Sequence, residues 1–129
     1  MTRLPLAADR APASRPLASL TRTGLDKLFH NWLGASGRRH ICSVYPLGET
    51  PAFDCRRAVI AAVRRDAAGA ALLFAFAPGD GEAADDLRFW TRRARACGAN
   101  EWHVHLLAET PEERARVLDD LSPARRRAA

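Results

Sequence analysis

An unbroken apolar run, Ala70 to Ala77, constrains this chain more than any other feature. It reads Ala-Ala-Leu-Leu-Phe-Ala-Phe-Ala and is bounded by Gly69 on one side and by Pro78 and Gly79 on the other. Such a run is typical of a central strand covered on both faces, and it is far shorter than the roughly 18–20 residues of a membrane span. The sequence therefore predicts a sheet with other elements packed against it.

Two further segments have the pattern of strands. Residues 41–47 alternate in polarity and are rich in residues that favour strands. Residues 101–108 place Trp102, Val104 and Leu106 on one face, because side chains two positions apart share a face of a strand.

Residues 54–66 fit two structures. As a strand, the segment places Val59, Ala61 and Val63 on one face, and residues 66–69 become a hairpin loop with a glycine in the left-handed region. As a helix, it carries an apolar stripe formed by Cys55, Ala58, Val59, Ala62 and Val63. The apolar run that follows favours the hairpin, and the helix stays open as the alternative.

Three helices are predicted from apolar stripes and capping signals. Thr23 caps the first and Gly34 ends it, and its stripe consists of Leu25, Leu28, Phe29, Trp32 and Leu33. The second covers residues 82–97, with acids in its first turn and arginines later, and ends at Gly98. The third begins with a capping box from Thr110 to Glu113 and runs to residue 121.

These elements predict an α+β fold: a mixed sheet of about four strands, a hairpin or meander followed by helix, strand and helix, with helices packed on it. If residues 54–66 are helical, the fold becomes a three-stranded parallel α/β sandwich of βαβαβα order. The 129 residues suffice for one domain. We expect it to span residues 21–122, between a flexible tail rich in Pro, Ala and Arg (1–20) and a basic tail (123–129).

The formal net charge of +5 suggests a polyanionic partner, so the position of the charge matters. Residues 1–40 carry seven basic groups and two acids, and the C-terminal tail adds Arg125, Arg126 and Arg127. Residues 41–124 hold ten arginines against thirteen acids. The excess of positive charge therefore lies at the two ends, and the body of the fold is mildly acidic.

The cysteines indicate a reducing compartment. Cys42, Cys55 and Cys97 are widely spaced and form no C-x-x-C pair, which fits neither a disulfide framework nor a structural zinc site. We expect all three in the core. Prolines and Asp9 interrupt the N-terminal segment, so no secretory signal is predicted. The expected location is the cytoplasm, with no membrane and no cofactor.

His103 and His105 are the first candidate site residues. If they lie in a strand, their side chains share a face, and their Cα atoms are about 7 Å apart. Two neighbouring imidazoles can bind a metal or share an acid–base task. The alternative interpretation is that they are polar residues on a less buried face, or against a helix, without a chemical role.

Gly79 and Gly81 lie in a loop between a predicted strand and a helix N-terminus, where backbone N–H groups favour an anion. The order of hairpin, glycine loop, helix, strand and helix over residues 57–121 resembles the central part of acetyl-coenzyme A-dependent N-acetyltransferases. The resemblance implies that these glycines cradle the cofactor pyrophosphate. Phe76 stands where that family has a basic or amide residue, and Asp80 adds a negative charge to the loop.

A basic face is the third candidate. Arg88, Arg92 and Arg95 recur at i, i+4 and i+7 of the second predicted helix and, with the arginines of the C-terminal tail, can contact RNA, DNA or an acidic partner. Phe89 and Trp90 are expected to point elsewhere, so no stacking platform for bases is expected.

From these features we predict a binding or interaction module without an assembled catalytic site, with a protein as its partner. The alternatives are a degenerate acetyltransferase-like or other small anion- or metal-binding enzyme, and an accessory nucleic-acid binder that acts through the basic ends.

Overall fold

The fold is α+β, one curled antiparallel sheet with a helix on each face. A computed structural model describes the backbone of residues 13–15 and all atoms of residues 28–48, 54–80 and 87–122. Six strands, two helices and a short 3-10 helix (Cys55–Arg57) are present in these ranges. The strands are β1 (Ala13–Arg15), β2 (Phe29–Leu33), β3 (Arg39–Pro46), β4 (Val59–Asp66), β5 (Gly69–Phe76) and β6 (Glu101–His105), and the helices are α1 (Leu87–Ala96) and α2 (Pro111–Leu121).

The sheet has the strand order β1-β2-β3-β6-β4-β5, and every pairing in it is antiparallel. β2 and β3 form one hairpin and β4 and β5 form another. β6, the last strand in the chain, lies between the two hairpins and pairs with β3 on one side and β4 on the other. The edge strands β1 and β5 contact one another, so the sheet is curled.

The two helices cover opposite faces of the sheet. On one face Leu87, Trp90 and Ala94 of α1 pack against a buried cluster that includes Phe76 and Trp102. On the other face α2 packs its residues Val117 and Leu121 against a second cluster, formed by Trp32, Cys42, Ala61, Val63 and Leu72. We call these the α1 face and the histidine face, because all four histidines of the chain lie on the second.

The hairpin predicted from residues 54–66 and the apolar run is confirmed from Val59 onward, while Cys55–Arg57 form the 3-10 helix instead of strand. β4 and β5 pair from Ile60 with Phe76 to Asp66 with Gly69, and Gly69 has a φ of +124°, a conformation that glycine adopts without steric cost. The helical alternative for residues 54–66, and with it the parallel sandwich, is disfavoured. The expected mixed sheet is also wrong, because the predicted elements omit β2 and all the pairings are antiparallel.

The first predicted helix is wrong. Residues 29–33 form β2, which pairs with β1 and β3. The apolar spacing fits a helix, but Phe29 and Trp32 are aromatic residues that also favour strands. In β2 their side chains lie on opposite faces of the sheet. Gly34, interpreted as a helix end, begins the β2–β3 turn instead: its N–H donates to Arg38 O at 2.8 Å, and Gly37 follows with a φ of +89°.

The apolar run is an edge strand rather than a central one. β5 lies at the end of the sheet, and a bulge that places Leu73 opposite no residue of β4 interrupts its register. Phe74 and Phe76 pack under α1, while Leu72 lies beside α2. The run is apolar because residues of both helices pack against it, one helix on each face. On its outer edge it has no strand partner among the described residues.

The two C-terminal helices follow their sequence signals. In α2 the Thr110 hydroxyl accepts from the N–H of Glu113 at 3.1 Å, which is the predicted capping box. α1 ends before Gly98, which has a φ of +97°. Cys97 is exposed there rather than in the core as expected, and Leu106 is 41% exposed because β6 ends at His105.

Neither described helix is long and apolar enough to cross a membrane. The predicted tails, residues 1–20 and 123–129, lie outside the described residues except for Ala13–Arg15, which pair with β2.

Asp120 of α2 clamps the β2–β3 turn onto the histidine face. Its backbone carbonyl accepts from Ala35 N at 3.0 Å, and its carboxylate accepts from the Ser36 N–H at 2.7 Å, the Ser36 hydroxyl at 2.8 Å and His40 Nε2 at 2.7 Å. A Cβ atom at Gly34 would collide with this carboxylate. The absence of a side chain at position 34 is therefore what lets α2 approach the turn.

We expect Gly34→Ala to destabilise the fold by about 1–3 kcal/mol, the usual cost of overpacking. In an Asp120→Ala background the same substitution should cost much less, since the carboxylate it meets is gone. Urea unfolding of the two single variants and the double variant measures this coupling. If Gly34→Ala lowered the free energy of unfolding equally in the two backgrounds, the close approach of Asp120 to Gly34 would make no contribution to stability.

Candidate functional site

All four histidines of the chain lie on one face of the sheet. Antiparallel pairing places His30 opposite Cys42 and His103 opposite Val44, and residues two apart share a face, so His40 and His105 belong to the same side. All four are buried, with at most 7% of any of them exposed. The predicted side-by-side arrangement of His103 and His105 is present, and two further histidines accompany them.

His103 is the centre of a buried hydrogen-bonded network. An indole N–H can only donate, so Trp32 Nε1, 2.9 Å from His103 Nδ1, makes that nitrogen an acceptor. The proton of the neutral ring therefore lies on Nε2, which donates to Glu101 at 2.8 Å. Arg65 Nε donates to the same carboxylate at 2.9 Å, and its Nη2 points at His30 Nδ1 at 3.4 Å.

The electrostatics of the network agree with this assignment of protons. Burial, the charge of His103 and that of Arg65 lower the pKa of His30 to about 3. Burial also lowers the pKa of His103, against the opposing effect of its hydrogen bond with Glu101. Burial alone would raise the pKa of Glu101, but the hydrogen bonds from His103 and Arg65 outweigh it and hold that pKa below its ordinary value. Two neutral imidazoles thus surround one ion pair.

This network has little capacity for chemistry at His103. Both ring nitrogens of His103 are engaged in hydrogen bonds within the sheet, and the ring is 0% exposed. A metal ligand or a general base needs an accessible lone pair. Across residues 28–48, 54–80 and 87–122, no three His, Cys, Asp or Glu side chains are placed to hold a metal ion.

The other two histidines line an open cleft of about 540 Å³ between the start of β3, the end of β6 and α2. His40 Nε2 donates to Asp120 at 2.7 Å. His105 Nδ1 lies 2.8 Å from the carbonyl of Ile41, which can only accept, so this nitrogen carries the proton. The two rings meet edge to face with centroids 5.6 Å apart.

Burial governs the charge state of His105. It lowers the pKa of His105, with the hydrogen bond to Ile41 opposing and the charge of His40 adding to the effect. Burial tends to raise the pKa of Asp120, yet the hydrogen bonds from His40 and Ser36 bring it below its ordinary value. Asp120 is therefore a carboxylate that orients His40, the arrangement of an acid–histidine pair.

The predicted basic face is on α1 and is exposed. Arg88, Arg92 and Arg95 lie on the solvent side of the helix, and Arg93 adds a fourth guanidinium 5.8 Å from the ring of Trp90. Phe89, expected to point away from these three arginines, is 42% exposed and lies between Arg92 and Arg93 around the helix, about 100° from Arg88. Trp90 does point inward, stacked on Phe76 at 4.2 Å.

The remaining predicted site residues are not brought into either cluster. Gly79 forms a turn with a φ of +66°, and Gly81 lies outside the described residues, as do Arg125, Arg126 and Arg127. Cys42 is buried on the histidine face, and burial raises the pKa of its thiol to about 12, so it is an inert core residue.

Sequence reasoning missed His30, His40, Arg65 and Asp120. Their hydrogen-bond partners across the sheet and on α2 are 35 to 84 positions away in the chain. The alternation of His30 with Trp32, and of His40 with Cys42, was the available signal, because it places each histidine beside an apolar residue of the same face. That signal could be used only if residues 29–33 were assigned to a strand.

Comparisons with protein-family models, with curated proteins and with solved structures found no match. The resemblance to acetyltransferases therefore stays a prediction.

The low pKa of His30 predicts acid sensitivity. Below the ordinary histidine value of 6.5 the unfolded chain takes up a proton at this residue that the folded protein does not accept until the pH approaches 3. Stability is thus lost as the pH falls, by about 2 kcal/mol between pH 7 and pH 5 from this residue. Urea unfolding across that range measures the loss, which should be smaller in His30→Gln and His30→Asn. Unchanged pH dependence in both variants would contradict the assignment.

Proposed function

We propose that this protein is a binding domain that recognises single-stranded nucleic acid through the exposed face of α1. The observation that carries the proposal is the composition of that face. Ten residues of helix present four arginines and an exposed phenylalanine and contain no acid.

The arrangement of charge supports a polyanionic partner. Several acids of the body are engaged elsewhere: Glu101 with Arg65, Asp66 with Arg64, and Asp120 with His40. None of the four α1 guanidinium groups forms an ion pair with a described residue. Although the body of the fold is mildly acidic, α1 carries a local concentration of positive charge. Such a concentration attracts the phosphate backbone of a nucleic acid.

The exposed ring favours a single strand over a duplex or an acidic protein. Phosphate contacts by arginine occur with any nucleic acid, but an aromatic face beside them allows an unpaired base to stack. Phe89 lies edge to face with Trp90, with ring centroids 5.4 Å apart, which holds it at the surface. The protein partner expected from the sequence stays a prediction, and no ring or cavity on α1 favours it.

The first test is fluorescence anisotropy of a labelled mixed-sequence oligonucleotide with the full chain over a range of salt concentrations. We expect log K to fall linearly with log salt, with a slope of about −0.7 for each phosphate contact. Arg92→Gln should weaken binding and reduce that slope by about one contact. Arg64→Gln is the matched control, because Arg64 is an exposed arginine paired with Asp66 on β4.

Equal losses in Arg92→Gln and Arg64→Gln would show that net charge, not the α1 face, attracts the strand. Loss only when Arg125, Arg126 and Arg127 are replaced together would place the contact in the basic tail. No binding at low salt would end the proposal.

A second test addresses the ring. Phe89→Ala should weaken binding of the single strand by about 1–3 kcal/mol, the range for one stacked base, while Phe89→Tyr should retain most of the affinity. A duplex of the same length is the comparison, because its bases are already stacked. A Phe89→Ala variant that loses single-strand and duplex binding equally would contradict a stacking role.

A further inference from the structure

The cleft between α2 and the start of β3 has a second feature, independent of α1: each of its histidines keeps one nitrogen without a partner. His40 uses Nε2 for Asp120, and His105 uses Nδ1 for Ile41. No described residue forms a hydrogen bond with His40 Nδ1 or with His105 Nε2. Among the described residues, the fully buried side-chain nitrogen or oxygen atom without a hydrogen-bond partner is Trp102 Nε1, not one of these two. Both side chains line the cleft, although they are more than nine-tenths buried.

Arginines and acids both line the cleft, and they differ in the partners that they have. Arg38, Arg39 and Arg116 line the cleft from the β2–β3 turn, from β3 and from α2. Their guanidinium groups make no ion pair with a described residue. Three acids line the cleft as well, and each has a partner: Asp120 accepts from Ser36 and His40, Glu113 accepts from the Thr110 hydroxyl at 3.1 Å, and Asp119 also has an interaction partner. These hydrogen bonds orient the carboxylates of Asp120 and Glu113 and leave them in the lining of the cleft.

We propose that this cleft is a binding site for a phosphoryl group, carried by inorganic phosphate or by a phosphate monoester. Three arginines line the cleft, and a guanidinium group is the side chain best suited to donate paired hydrogen bonds to phosphate oxygens. The imidazole nitrogens add short-range contacts at the floor, where His105 Nε2 can accept from a protonated phosphate oxygen. A metal cation is disfavoured, because among the described residues no three His, Cys, Asp or Glu side chains are placed to hold one.

Asp120 is the positioning residue of the site. Its carboxylate binds the turn that carries Arg38 and, through the same oxygen, the ring of His40. The histidines and the turn are thus already in place without a ligand, so phosphate binding would have little ordering cost. The site is on the histidine face and α1 is on the opposite face, so a phosphate bound here would not touch the proposed nucleic-acid surface.

The test is a titration of the full chain with inorganic phosphate and with adenosine 5′-monophosphate, followed by the histidine ring signals in 1H–15N NMR at constant ionic strength. Adenosine is the unphosphorylated comparison. We expect saturable shifts of His40 and His105 with both phosphates and none with adenosine. Arg116→Gln should weaken phosphate binding about tenfold or more, the effect of losing one charge-assisted hydrogen bond.

Arg92→Gln on α1 is the matched control and should leave phosphate binding unchanged, while Arg116→Gln should leave oligonucleotide binding unchanged. This crossed result separates failure of one proposal from failure of the other. The site is refuted if phosphate produces no saturable shift, if adenosine shifts the same signals equally, or if Arg92→Gln and Arg116→Gln weaken phosphate binding alike. A saturable response to zinc without one to phosphate would make the cleft a cation site and overturn the proposal.

Discussion

The insertion of β6 between two hairpins is the constraint on which the rest of the structure depends. β6 pairs with β3 on one side and with β4 on the other, and among the described strands no other pairing joins the β2–β3 hairpin to the β4–β5 hairpin. Because β6 is paired on both edges, its alternate side chains are buried on both faces. Trp102 and Val104 pack under α1, while His103 and His105 are held among the strands of the histidine face.

That position explains why the polar groups on the histidine face of β6 are paired, while Trp102 Nε1 on the α1 face has no hydrogen-bond partner among the described residues. A buried imidazole or carboxylate without a partner costs free energy, so a network there is stable only if its donors and acceptors match. Trp32 comes from β2, Arg65 from β4, and Glu101 and His103 from β6, and together they satisfy one another. The network is a structural centre, and the two surfaces that we propose for ligands lie outside it, at the cleft beside α2 and on α1.

The local signals of the sequence predicted some elements well and others poorly. The Thr110 cap, the Gly69 turn and the strands predicted over residues 41–47 and 101–108 depend on neighbouring residues, and all are present, although the second strand ends at His105. The first helix failed because Phe29, Trp32 and Leu33 fit either periodicity, and pairing with β3 decided between them. The prediction of the site failed for a related reason: His40 and Asp120 are 80 positions apart, and the alternation of His40 with Cys42 does not reveal its partner.

By itself the sequence determined the α+β class, the two C-terminal helices with their caps, the β4–β5 hairpin and the arginine spacing of α1, because these follow from contacts a few residues apart. Only the tertiary structure decided the strand order, the antiparallel pairing, the edge position of the apolar run and the gathering of four histidines on one face. Those depend on which strands pair over long separations in the chain. The free energy of that pairing comes from the burial of whole faces, which no single segment contains.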